Sequence, residues 1–161
     1  MTHTDTPLST CLWFDDQLED AVAFWTAIFP RSSVGQLART PDGTVLGAEW
    51  VLDGMPFRGI NGGPEHSHFS EAVSISVSCA DQQEVDHYWD SLVDGGEESQ
   101  CGWLKDRFGL SWQIVPQRLH ELLGDPDPAR ARAAMTAMLG MRRIVVADLE
   151  AAADGAGSRV G

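Results

Sequence analysis

Two stretches of this chain carry one pattern written twice. "STCLWF" alternates like a strand and leads through Asp15-Asp16 into "LEDAVAFWTAIF", where Leu18, Ala21, Val22, Trp25 and Phe29 recur at helical spacing until Pro30 stops them. "SVGQLART" and "TVLGAEWVL" then make a hairpin around "PDG", and "PFRGI" adds a short strand closed by the loop "NGGPEHSH". The order restarts at "AVSISVSC", followed by the helix "DQQEVDHYWDSLV", which ends at Gly95-Gly96. "EESQCGWLKD" and "LSWQIVP" are further strand candidates around an "RFG" turn. Overlaying the helices sets Phe24-Trp25 on Tyr88-Trp89 and Ile28 on Leu92. A duplicated strand–helix–three-strand unit leaves few folds open, because each copy must bury one sheet face under its own helix.

What flanks the repeats differs from them. Residues 1–7 read as a loose tail. After the second copy, "DPDPARARAAMTAMLG" offers Asp127 as a helix N-cap and Pro128 at the first helical position, with Met135, Met138 and Leu139 giving an apolar side. "MRRIVVADLEAAADG" adds a short apolar run and a small-residue helix. Such an appendage needs a surface to cover, either its own sheet or a partner's.

Charge narrows the function. Acidic residues outnumber basic ones 24 to 11, a formal charge of −13, so the surface repels phosphate backbones and no nucleic-acid partner is expected. No apolar run reaches membrane-spanning length, and "MTHTDTPLST" lacks a basic-then-apolar leader pattern. A cytoplasmic protein with no membrane partner is the expectation. Three cysteines, Cys11, Cys79 and Cys101, fit neither a disulfide scaffold nor a paired-thiolate zinc site. Cys101, with Lys105 and Arg107 nearby, is the best candidate for a reactive thiol; all three read first as small buried apolar residues.

Motifs of common chemistries are missing: there is no G-x-S-x-G elbow, Walker loop or His-Glu-x-x-His helix. Asp15, Asp16, Glu19 and Asp20 suit a helix N-terminus without any catalytic purpose. Lys105-Asp106-Arg107 either orients an anionic ligand or decorates a hairpin turn. His66 and His68 read as solvated loop residues, and His87 as surface or core.

The segments "LWFDDQLEDAVAFW", "FRGINGG", "CGWLKDRFGLSWQIVP" and "DPDPARARAAMTAML" resemble the PhnB-like branch of the vicinal oxygen chelate superfamily, which also holds glyoxalases, ring-cleaving dioxygenases and bleomycin resistance proteins. That branch carries the label 3-demethylubiquinone-9 3-methyltransferase. The resemblance covers nearly all of residues 8–153 and implies an α+β fold in which two βαβββ modules, 8–63 and 70–118, form a cupped mixed sheet around a cavity. The modules make a domain over 8–124, with a C-terminal helical extension and flexible tail over 125–161. It also implies a homodimer.

Metal-dependent relatives place a histidine on the first strand of each module and a carboxylate on the last. Aligned on the helices, those positions fall at Thr10 and Ser74, near Arg58, and at Gln113. Hydroxyls, an amide and a guanidinium make a poor cation site, so no metal and no cofactor are expected. The ligand-binding candidates are Thr10, Asn61, Ser74, Trp103, Trp112 and Gln113, neutral polar tips among aromatics that suit a small apolar or aromatic molecule. No catalytic residue stands out; Glu49 is the one candidate base. Two functions compete. The first is a small-molecule-binding protein of unknown ligand. The alternative is a superfamily enzyme acting on a small organic substrate. Methyl transfer ranks last, because no strand leads into a glycine-rich loop and helix of the kind that holds S-adenosylmethionine.

Overall fold

Alternation along β1 (Thr10–Phe14) sends Leu12 and Phe14 to one face, where both are buried, and Cys11 and Trp13 to the other. The buried face needs a cover, and α1 (Leu18–Ile28) supplies it with Leu18, Ala21, Val22 and Trp25, each large apolar side chain contributing about 1.5–3 kcal/mol by burial. The computed structural model describes residues 6–157; of the tail expected at residues 1–7, residues 1–5 lie outside it, as do residues 158–161.

β2 (Ser33–Arg39), β3 (Val45–Leu52) and β4 (Met55–Asn61) complete the first module. The sheet order is β1-β4-β3-β2, with β1 parallel to β4 and the other pairs antiparallel. Asp53 and Gly54 close the β3–β4 hairpin at φ values of 46° and 90°, the left-handed pair that a tight two-residue turn requires. Beneath α1, Trp50 stacks between Trp25 and Phe57, with ring centroids 5.9 and 5.5 Å away. The helix also rests directly on β4: a Cβ at Gly59 would lie 2.4 Å from Leu18 Cδ1 and 3.0 Å from the Trp50 ring, so a side chain there would displace Leu18.

The second module repeats the plan. β5 (Ser74–Cys79) leads into α2 (Gln82–Val93), followed by β6 (Glu97–Glu98), β7 (Trp103–Lys105) and β8 (Ser111–Pro116), in the order β5-β8-β7-β6. Asp81 caps α2 by accepting from Glu84 N at 3.0 Å, while the Glu84 carboxylate accepts from Ala80 N at 2.7 Å, a reciprocal box that fixes the helix start. The strand expected across "EESQCGWLKD" is interrupted, because Cys101 and Gly102 sit at φ 58° and 84° and turn the chain between β6 and β7.

Three helices follow: α3 (Gln117–Leu123), which the periodicity did not announce, α4 (Pro128–Leu139) and α5 (Val146–Gly157). Asp127 caps α4 as its sequence position suggests, accepting from Ala129 N. These helices cover their own module. Val115, Leu119 and Leu122 join Ala134, Ile144, Leu149 and Ala153 in one buried cluster. The strap between α4 and α5 is pinned by backbone bonds from Cys101 N to Met141 O and from Gly102 N to Arg142 O. Gln82 on α2 grips it from the other side, donating to Ile144 O and accepting from Val146 N.

The chain thus divides into two compact units, one ending at His68 and the other beginning at Phe69, each with its own four-stranded mixed sheet. The α+β class and the tandem βαβββ modules are as expected, with the C-terminal helices packed into the second unit. Among the described residues no helix is long and apolar enough to cross a membrane.

Candidate functional site

In each unit one sheet face is buried under the module's helix, so candidate site residues must stand on the opposite face. Register identifies them. In the first unit Arg58 lies between Cys11 on β1 and Glu49 on β3, all three facing away from α1. Arg58 Nε and Glu49 Oε1 are 3.3 Å apart, and both side chains are more than half exposed. Here the sheet borders a cavity of about 720 Å³ whose lining includes Leu8, Val34, Glu49, Val51, Pro56 and Arg58. That volume suits a small organic ligand. On β1, Trp13 is held by an Nε1 bond to Gly63 O at 2.9 Å and by an edge contact with His66; a Cβ at Gly62 would overlap its indole.

In the second unit the face opposite α2 carries two cross-strand rows. One is Ser76, Gln113 and Trp103; the other is Ser74, Ser111 and Lys105. Gln113 Nε2 donates to Ser74 Oγ at 2.9 Å and ties the rows together. Lys105 Nζ is 2.6 Å from Glu71 Oε1. Their hydrogen bond raises the Lys105 ammonium above its ordinary range and lowers the Glu71 carboxyl below its own. Ser111 Oγ is buried without a hydrogen-bond partner.

Of the residues singled out from sequence, the structure brings Ser74, Trp103 and Gln113 onto this face. It does not bring the other three. Thr10 shares the α1 side of its sheet with Leu12 and Phe14, because its register partner is Phe57. Asn61 caps α1 from β4: its Oδ1 accepts from Leu18 N at 3.0 Å and its Nδ2 donates to Val45 O at 2.9 Å. Trp112 is 1% exposed and packs on the α2 side, with Nε1 donating to Asp106 Oδ2 at 2.8 Å. Asp106, itself buried, accepts also from Phe108 N and Leu110 N. It organises the β7–β8 turn, while Arg107 pairs with Asp94. In the Lys105-Asp106-Arg107 triplet, therefore, only Lys105 faces the candidate site.

Cys11 and Ser76 also stand on the faces away from the helices, which the overlay of the two helices does not bring out. The signal that finds them is the length of each strand-to-helix connection: three residues separate β1 from α1, and two separate β5 from α2. Matching the helices therefore displaces the strands by one residue, which moves every side chain to the other face. Matched on the strands, the equivalent positions are Cys11 with Ser76 and Arg58 with Gln113.

Neither unit's pair fits a divalent cation. A soft thiol with a guanidinium in the first unit, and a hydroxyl with an amide in the second, give neither the carboxylate nor the imidazole donors such ions take, and Glu49 is already engaged by Arg58. No group of three histidine, cysteine, aspartate or glutamate side chains is placed to hold a metal among the described residues. Neither strand-to-helix connection resembles the glycine-rich loop that holds S-adenosylmethionine. The β1–α1 connection is Asp15-Asp16-Gln17 and the β5–α2 connection Ala80-Asp81, neither of which contains a glycine.

A family model described as 3-demethylubiquinone-9 3-methyltransferase matches residues 6–115, more than half the chain. The chain belongs to this family. The match ends within β8, ahead of the three C-terminal helices. Among solved structures, the PhnB protein from Bacillus cereus is 28% identical, covers 69% of this chain and 99% of its own length, and superposes with a TM-score of 0.64. Protein PA1353 from Pseudomonas aeruginosa is 14% identical over 70% of this chain and 98% of its own, with a TM-score of 0.59. The fosfomycin resistance protein FosX from Listeria monocytogenes, solved with Mn(II) and sulfate, is 16% identical over 74% of this chain and 96% of its own, at 0.52. The last two share the fold with this chain. No curated protein matches the chain.

Proposed function

We propose that this family member is a small-molecule-binding protein that works without the divalent metal of its superfamily. One observation carries the reading: the strand positions facing away from the helices hold Cys11 and Arg58 in the first unit and Ser76 and Gln113 in the second, pairs built for hydrogen bonding rather than for coordination. Gln113 and Ser74, already bonded to one another, act as polar anchors beside the Trp103 indole, and the cavity over Glu49 and Arg58 gives the first unit a concave surface for an organic ligand. We further take the working form as a cytoplasmic homodimer, with Val34, Leu46, Met55 and Ile60 as exposed apolar residues a second copy would cover; light scattering tests that mass.

A thermal-shift screen of small aromatic and polar organic molecules tests the binding reading. A saturable rise in melting temperature that Gln113→Leu weakens supports it. Stoichiometric Mn, Fe, Ni or Zn in the purified protein, with binding lost on chelation, overturns it.

One observation favours a second reading, an enzyme acting on a small organic substrate: Glu49 lines the cavity at 3.3 Å from Arg58, where a carboxylate can accept a proton. A Glu49→Gln variant that binds ligand and loses turnover would support it. Methyl transfer has the least support, since neither strand-to-helix connection carries a glycine-rich loop for the donor.

A further inference from the structure

On the second unit's sheet, one row of three residues is unlike its surroundings. Ser74, Ser111 and Lys105 lie in register across β5, β8 and β7. The middle member, Ser111, is 1% exposed, and its hydroxyl has no partner. A buried hydroxyl left unpaired costs free energy, and a chain tolerates that where the group is kept for something else. What spans the row is an ion pair. Glu71, three residues ahead of β5, reaches the Lys105 ammonium on β7, on the far side of the central strand, at 2.6 Å. The Glu71 side chain is 63% exposed and that of Lys105 35% exposed. A pair this open to solvent is cheaply parted.

A carboxylate is thus bound by the ammonium at one end of a row whose middle residue carries an unpaired hydroxyl, with Ser74 at the other end and the Gln113 amide bonded to its Oγ. We propose that this row is a binding site for the oxyanion group of a small molecule, a carboxylate or a phosphate, and that the Glu71 side chain occupies it as an internal stand-in. When ligand arrives, Glu71 swings into solvent; the incoming anion takes its place on Lys105 and reaches further along the row than the Glu71 carboxylate does, so that a second oxygen accepts from the Ser111 hydroxyl. Charge sets the limits. Glu97 on β6 is in register with Lys105 and opposes a second negative charge, so a monoanion suits the row better than a dianion. The Trp103 indole, on the same face two residues from Lys105, favours an anion carried on an apolar or aromatic body. The inference rests on the reading of this face as a ligand surface and adds the chemical class of the ligand.

Benzoate, inorganic phosphate and the neutral isostere benzamide, titrated into the full chain by calorimetry or by amide chemical shifts, form the test. Benzoate should bind better than benzamide. Removing the stand-in with Glu71→Gln should tighten benzoate roughly tenfold, and removing the cation with Lys105→Met should weaken it by at least as much. Both substitutions break the same ion pair, so a purely structural pair predicts that they act alike; opposite signs are the signature of a site. Ser111→Ala should also weaken benzoate. Equal benzoate affinity in the Glu71→Gln, Lys105→Met and parent proteins would overturn the proposal. Benzamide binding equal to benzoate, and unaffected by Lys105→Met, would overturn it while leaving the broader ligand-surface reading standing. Should Lys105→Met fail to fold, Glu71→Gln alone decides: no gain in benzoate affinity sinks the proposal.

Discussion

Asp106 shows how one side chain can explain a whole motif. Its carboxylate accepts from two backbone amides and from the Trp112 indole while 3% exposed, so "KDRFGLSW" is the sequence of a turn folded around an anion. Asp106→Ala leaves three donors unpaired inside the protein, and it should cost about 3–5 kcal/mol. Asp106→Asn keeps the shape but presents an amide NH₂ to at least one of those donors, for a loss of about 1–3 kcal/mol. Urea denaturation of both variants checks the order; an Asp106→Ala protein as stable as the parent would refute the account. Asn61 is a second residue whose function is internal. Its capping of α1 from another strand should make Asn61→Ala cost about 1–2 kcal/mol, read in the same experiment. Neither role could be read from composition, because each depends on a partner that the fold brings up.

At the scale of elements, most of the fold was visible in the sequence, while the facing of the candidate site residues was visible for only half of them. Both helices, the hairpin around "PDG" and the Asp127 cap follow from local periodicity and turn chemistry, which a single segment carries. Strand facing depends on a one-residue difference between two connections, which no segment carries alone. That is why Thr10 lands against α1 beside Leu12 while Cys11 points the other way. The cysteines report this facing directly. Cys11 is exposed and Cys79 buried at the end of β5, where burial, aided by Glu84, pushes the thiol up to about 12 from its ordinary 9.0. A maleimide should therefore label Cys11 in the native protein and leave Cys79 untouched until unfolding. The same shift has a pH consequence. Between about 9 and 12 the unfolded chain loses the Cys79 proton that the native chain keeps, so stability falls as pH rises, by up to about 1.4 kcal/mol per unit. Cys79→Ala should flatten that slope relative to the parent in pH-dependent denaturation; an unchanged slope would mean the thiol meets water.

The whole molecule holds more than its family's pattern requires. Residues 6–115 match the family model, yet β8 continues into helices that bury its own end, with Val115, Leu119 and Leu122 on one side of the cluster and Ala134, Ile144, Leu149 and Ala153 on the other. Ending the chain after Gly124 would return the first three to water. At about 1.5–3 kcal/mol for each large side chain, an upper figure because the unfolded chain already hides part of that surface, the loss approaches the roughly 5–15 kcal/mol that a domain of this size has in total. The truncated chain should therefore be unfolded or aggregated, or should melt without cooperativity. Ile144→Ala, removing one fully buried residue from the strap that Gln82 grips, should cost about 2–5 kcal/mol and keep the fold. Circular dichroism melts of both separate the alternatives. If the helices were an ornament, the truncated chain would melt at the parent's temperature and Ile144→Ala would be silent. If they complete the second unit, the losses scale with the apolar surface each change uncovers.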